Sequence, residues 1–359
     1  MRNQGNKIFA GQSIYIGIDV HKKKWQVTIM GEEYEHKTFS QDPKVEILSK
    51  YLKKNFPGAD YTAVYEAGFC GFGVCRKFRE QGILCEVLHP ADVPTSRKEK
   101  MQKTDKIDSR KLARSLRDRQ LEFIHIPDPE LESDRALVRQ RNRMSKDLSR
   151  TKNRVKSLLL QFEIDVPKDF TTGQSRQWSK AYVNWLRKIQ INQPSLRLTL
   201  DNYIRMGSMQ REQLLIINGQ IRALSRTQRY KKSYELISAI PGIGLITGMT
   251  LLVQIGDINR FKSLDELCCY IGLIPSMHGS GDKMRAGRIT SRGRKELKIR
   301  LIESAWVAIR LDPALMLKYN ELKKRMNGNK AIIRIVRKLV SRIRHVLQTK
   351  QPYEIGIVE

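Results

Sequence analysis

Apolar positions near the start of the chain fall in short β-branched runs, and further along they recur at helical spacing. Residues 13 to 20 (SIYIGIDV), then WQVTIMG and YEHKTF, are separated by short polar breaks and predict three strands in an antiparallel meander. Val45, Leu48, Leu52 and Phe56 have helical spacing, and Pro57-Gly58 ends that helix before a fourth strand, DYTAVYE. A helix near Phe72 to Gln81 leads to a short strand, ILCEVLH, and a last helix opens at KTDKIDSRKLA. From Leu137 to Leu159 the apolar residues Leu137, Met144, Leu148, Val155 and Leu159 step by seven and four, as on one face of a coiled coil. Leu214, Ile217, Ile221 and Leu224 form a second stripe. Near the C-terminus Ile332, Val336, Leu339, Ile343 and Leu347 line one face of a helix.

The order three strands, helix, strand, helix, strand, helix is the ribonuclease H-like plan. The expected fold is therefore an α/β ribonuclease H-like (RuvC-like) domain over residues 1–128, a basic coiled-coil spacer over 129–234, and a mainly α-helical domain over 235–359. The two stripes predict either an antiparallel pair within the chain or an intermolecular one. An actin or sugar-kinase reading of IGIDV requires a glycine-rich phosphate loop after Asp19, and Val20-His21-Lys22-Lys23 is not one.

Charge narrows the function classes. The 359 residues carry 67 Lys plus Arg against 37 Asp plus Glu, a formal charge of +30. Such an excess argues against an ordinary metabolic enzyme and for a polyanionic partner, because each neutralised phosphate releases condensed counterions. Nine of these cations lie between Arg135 and Lys156, among them Arg139, Arg143, Lys146 and Arg150, against the single acid Asp147. Cys70, Cys75, Cys85, Cys268 and Cys269 include no C-x-x-C clamp, so neither a zinc site nor a disulfide framework is expected. Leu236 to Ile255 is twenty residues without a charge, but Pro241, Gly242, Gly244 and Gly248 interrupt it, and no membrane segment is expected. The start lacks the apolar region of a signal peptide, which implies a cytoplasmic protein.

Candidate chemistry begins at Asp19, a carboxylate in an apolar strand, where it is costly unless a positive charge meets it. Glu66 ends the fourth strand, which in this plan lies beside the first. Asp105 and Asp108 are three residues apart near a helix start and share one face. Four converging carboxylates suit Mg²⁺, with Mn²⁺ as the alternative, and a two-ion clamp is suited to displacement at phosphodiesters. Taken singly, Asp105 also reads as an N-cap, Asp108 as a surface charge and Glu66 as a solvated strand end. IPGIG (Ile240 to Gly244) resembles a helix-hairpin-helix, with Gly242 and Gly244 letting backbone N–H groups approach a phosphate; the competing reading is a packing turn. Ser280 lies between Gly279 and Gly281, with Lys283, Arg285 and Arg288 close behind; it is either a turn residue or a nucleophile whose phosphate those cations hold. His278 is a base only in principle.

Together YIGIDVHKKKW, YEAGFCG, KTDKIDSRKLA, AIPGIG, YIGLIPS and SGDKMRAGRITSRG resemble the RNA-guided insertion-sequence transposases, relatives of pilin-gene invertases that pair a RuvC-like DEDD domain with a serine-bearing transposase domain. The resemblance covers nearly the whole chain. It implies that Asp19, Glu66, Asp105 and Asp108 are the metal-binding set and that Ser280 is the nucleophile. The family's usual Ser-Ser-Gly triplet has Gly279 in place of its first serine here, with Ser276 as the lesser alternative. It further implies donor and target DNA, a structured noncoding guide RNA, and a homo-oligomer, dimer or tetramer, whose active sites combine elements of two protomers. The rival readings are a junction nuclease that uses water and a non-catalytic nucleic-acid-binding protein.

Overall fold

The computed structural model describes residues 9–95, 101, 104–171, 178–280 and 283–356, apart from the side chains of 277–280 and 283–286. The chain divides into two compact units, Met1–Asp128 and Pro129–Glu359.

In the first unit the elements run β1 (Ser13–Val20), β2 (Trp25–Met30), β3 (Glu35–Gln41), α1 (Val45–Asn55), β4 (Asp60–Glu66), α2 (Gly73–Glu80), β5 (Leu84–Leu88) and α3 (Asp105–Arg117). The five strands form one sheet in the order β3-β2-β1-β4-β5. The first three are antiparallel, as short connections allow, whereas β4 and β5 join parallel to β1 through helical crossovers. Because side chains alternate along a strand, Ile14, Ile16 and Ile18 enter a core with Leu48 and Leu52 of α1 and Phe78 of α2. The alternate set on β1, Tyr15, Gly17 and Asp19, lies on the side of α3. A side-chain carbon at Gly17 would stand 2.2 Å from the Ser109 carbonyl oxygen and 2.4 Å from the Ala113 nitrogen, so only glycine lets α3 settle onto β1. Beside this contact the buried Thr28 and Ser109 hydroxyls are hydrogen-bonded at 2.9 Å.

The second unit opens with α4 (Pro129–Gln161), followed by a single helical turn, Lys168–Thr171, then α5 (Lys180–Lys188) and α6 (Pro194–Leu224). Contacts between α4 and α6 fall in reversed order: Arg141 bonds Asn218, Thr151 bonds Gln210, and Val155 and Leu159 cluster with Leu200 and Ile204. The two helices thus pair inside the chain in antiparallel fashion, with Trp178, Tyr182 and Leu186 completing the distal cluster. The remaining elements are α7 (Lys231–Ser238), α8 (Leu245–Ile255), α9 (Leu264–Ile271), β6 (Pro275–Ser280), β7 (Lys283–Ile289), α10 (Lys295–Leu311), α11 (Pro313–Lys323) and α12 (Gly328–Thr349). Leu131 and Val138 of α4 and Ile221 of α6 share one core with these helices, so residues on both sides of position 234 pack together. The charge-free stretch from Leu236 to Ile255 is split between α7, a turn and α8, and no helix among the described residues is long and apolar enough to cross a membrane. All five cysteines are free.

Candidate active site and nucleic-acid interface

Asp19 sits near the C-terminal end of β1, partly buried, on the sheet face that carries α3. Thr104 caps α3, its Oγ1 accepting from the Ile107 N–H at 3.3 Å, which leaves Asp105 and Asp108 in the first turn near the positive end of the helix dipole. Asp105 is therefore not the N-cap. His21, two residues beyond Asp19, turns back between the carboxylates: its Nε2 is 3.1 Å from Asp19 Oδ2 and 3.7 Å from Asp105 Oδ2. The three donor atoms lie within 4.8 Å of one another. The carboxylate pattern alone does not single out His21; its signal in the sequence is the D-x-H spacing at the end of an apolar strand.

Asp108 is also close, and its Oδ1 accepts from the nearly buried Lys111 Nζ at 3.0 Å. Ile18 pairs with Tyr65 in the parallel β1–β4 register, so Asp19 and Glu66 are the next residues on adjoining strands, on one face of the sheet. Burial raises the Asp19 carboxyl above its ordinary value; His21 opposes this, and the charges of Asp105 and Asp108 add to it. Carboxylates that repel one another, with an imidazole nitrogen at this spacing, form a donor set that fits a divalent cation.

The second unit holds the basic surface. Gly242, in the turn between α7 and α8, has φ +87°, and a side-chain carbon there would stand 2.3 Å from the Ser304 carbonyl oxygen of α10. Packing accounts for this glycine. Gly244 instead caps α8, and the space about its Cα is open; the cleft there is lined by Asn218, Arg222 and the first residues of α8. The basic face of α4 is less uniform than its sequence implies. Arg135 is buried, donating to the Val253 and Gln254 carbonyls at the end of α8 at 2.6 and 3.0 Å. Lys146 pairs with Glu296 at 2.7 Å and Arg150 with Asp147 at 2.8 Å. Arg139 and Arg143 are exposed and make no ion pair among the described residues. Although the Arg139 side chain as a whole is exposed, partial desolvation of its guanidinium, and after it the neighbouring charge of Arg294, lower it from its ordinary value. The Arg260 and Arg294 guanidiniums lie 4.6 and 4.9 Å from the Tyr270 ring, extending this positive region.

The hairpin β6–β7 pairs Ser280 with Lys283 and His278 with Arg285 in backbone register. The side chains of Ser280, Lys283 and Arg285 lie outside the described residues. Arg288 is exposed, and its carbonyl accepts from the Ser276 hydroxyl at 3.1 Å, so Ser276 has a structural partner. At the base of the hairpin, Gly272 and Gly293 touch backbone to backbone, and a side-chain carbon at Gly272 would stand 2.3 Å from the Arg292 carbonyl oxygen.

Comparison with known proteins matches both units. Residues 16–164 match a DEDD-type transposase model of the IS110 group, and residues 234–320 match the transposase model of the IS116/IS110/IS902 family. The chain is 26% identical to a putative transposase, y4qE, of Sinorhizobium fredii, over 84% of this chain and 73% of that protein. It is 27% identical to the transposase of insertion sequence element IS1533 of Leptospira borgpetersenii, over 70% of this chain and 72% of the relative. A pilin gene-inverting protein of Moraxella bovis is 34% identical over 35% of this chain and 40% of its own length.

Proposed function

We propose that the chain, whose residues 16–164 and 234–320 match two transposase models of the IS110 group, acts in DNA transposition and cuts and rejoins DNA by a metal-assisted serine mechanism. The observation that carries this reading is the convergence of Asp19, Asp105 and His21, with Asp108 and Glu66 beside them, on one face of a sheet with ribonuclease H-like strand order.

In this reading Asp19, Glu66, Asp105 and Asp108 hold Mg²⁺ or Mn²⁺. When bound, such an ion neutralises charge on the phosphate and polarises it. Ser280 Oγ forms a bond to phosphorus as the P–O3′ bond breaks; the serine gives up its proton and the departing 3′ oxygen gains one. The phosphoserine link conserves the bond energy, so the 3′ hydroxyl of a new partner strand reverses the step without ATP. Lys283, Arg285 and Arg288 hold the phosphate charge that grows during attack. Arg139, Arg143 and the Gly244 end of α8 bind nucleic-acid backbone, including a structured noncoding RNA that pairs with donor and target DNA. The working form is a homo-oligomer, dimer or tetramer, in which one protomer's carboxylates serve another's serine.

The deciding experiment traps covalent protein–DNA complexes on cognate element-end DNA supplied with RNA transcribed from the element. Wild type is expected to form an adduct. Ser280→Ala should bind the nucleic acids and form none, and Ser276→Ala should behave as wild type. Mg²⁺-dependent cleavage by Ser280→Ala would make water the nucleophile and the protein a junction nuclease.

A further inference from the structure

We propose that His21 is a nitrogen ligand of the divalent cation held by Asp19 and Asp105, and that this mixed nitrogen and oxygen set favours Mn²⁺ over Mg²⁺. The inference rests on the carboxylate site proposed above and adds to it a residue outside the DEDD set.

The argument begins with distances. Two ligands at about 2.1 Å from one octahedral ion are roughly 3.0 Å apart when adjacent and roughly 4.2 Å apart when opposite. His21 Nε2 lies 3.1 Å from Asp19 Oδ2 and 3.7 Å from Asp105 Oδ2, so all three atoms can reach one ion with only small side-chain adjustments. The position is not a packing consequence, because about half of the His21 side chain is exposed. Without an ion this nitrogen is hydrogen-bonded to Asp19; on loading, its proton leaves and the lone pair takes the ligand position. The same ring nitrogen faces both carboxylates, so one ion can reach all three donor atoms. Imidazole is a softer donor than carboxylate, and hard Mg²⁺ gains less from it than a transition ion does.

The test uses the full-length protein with Mn²⁺ as the spectroscopic probe. Pulsed electron paramagnetic resonance of the Mn²⁺-loaded wild type should show coupling to a directly bonded imidazole nitrogen, and His21→Gln should abolish it. His21→Gln should weaken Mn²⁺ binding by about tenfold or more, and Mg²⁺ binding, read by competition, by less than about twofold. Its unfolding midpoint in EDTA should match wild type, since the ring is half exposed. Bound Mn²⁺ without nitrogen coupling in wild type would overturn the proposal while leaving the carboxylate site intact. Equal weakening of Mn²⁺ and Mg²⁺ would overturn the selectivity claim. If Asp19→Asn leaves Mn²⁺ affinity unchanged, the carboxylate reading fails and takes the His21 assignment with it.

Discussion

Gly17 of β1 lies directly against Ser109 of α3, with 2.2 Å between the serine carbonyl oxygen and the place a side-chain carbon would occupy. One turn earlier on that helix stands Asp105, and two residues later on that strand stands Asp19. The contact therefore sets the height at which the carboxylates meet. Gly17→Ala should force the helix outward, costing about 1–3 kcal/mol by overpacking, and should lower divalent-ion affinity although no ligand is altered. Denaturant unfolding and calorimetric titration with Mn²⁺ would check both; normal ion affinity in a destabilised Gly17→Ala protein would show that the helix position does not set the site.

Asp19 should behave in the opposite way. Its carboxyl is held above the ordinary carboxylate value by burial and by Asp105 and Asp108. The proton is thus bound more tightly in the folded protein than in the unfolded one. Without metal, Asp19 contributes stability below the ordinary carboxylate pKa and loses it as pH rises through the elevated value. Asp19→Asn should abolish recombination, yet its melting temperature in EDTA at neutral pH should equal or exceed that of wild type. A melting temperature several degrees lower would mean that the carboxylate supports the fold.

The two glycines of the α7–α8 turn should separate. Gly242→Ala combines a positive φ with a clash against the Ser304 carbonyl, so it should destabilise the second unit by about 2 kcal/mol or more. Gly244→Ala meets nothing and should fold normally, while weakening DNA binding if the N-terminal end of α8 receives a phosphate. Melting curves and filter-binding isotherms on both variants would check this, and unaltered binding by Gly244→Ala would return the turn to a packing role alone.

Salt dependence should rank the cations of α4. Reversing Arg139 or Arg143 should reduce the slope of log affinity against log salt by about one for each phosphate the protein no longer neutralises. Lys146 and Arg150 already face Glu296 and Asp147, so neutralising either should change the slope less. Slopes unchanged from wild type in all four variants would mark the whole face as merely solvated.

Part of the candidate site was legible in the sequence. Asp19 breaks a local rule by placing a charge in an apolar strand, whereas Asp105 and Asp108 sit where acids are ordinarily favoured, in a first helical turn, and stand out only by their spacing. The partners that give these residues meaning were less legible, because they come from distant parts of the chain. His21 reads as the first of four consecutive basic or titratable residues until the turn after β1 aims it at Asp105. Arg135 looks like any cation of its run, yet it caps α8, more than a hundred residues away. Periodicity identified the stripes on α4 and α6 but left open whether the helices pair within one chain, since the same spacing serves either arrangement; in the folded protein the two helices pair with each other, Leu137 sharing a core with Ile217, Ile221 and Leu224 while Val155 and Leu159 pack on Leu200 and Ile204, ahead of the second stripe.

That pairing keeps its two apolar clusters at its ends, with Leu148 buried between them. Leu131, Val138 and Ile221 anchor the root, Val155, Leu159, Leu200 and Ile204 hold the tip, and between them lie polar pairs such as Arg141 with Asn218 and Thr151 with Gln210. At about 1.5 Å of rise per residue, the tip cluster stands roughly 40 Å along α4 from its first anchor. Inserting seven residues into each arm would move the tip outward by roughly 10 Å and bring the same faces back into near alignment, leaving the contacts at either end in place. The hairpin is thus a ruler graduated in heptads, whose length can drift through evolution without refolding what it joins.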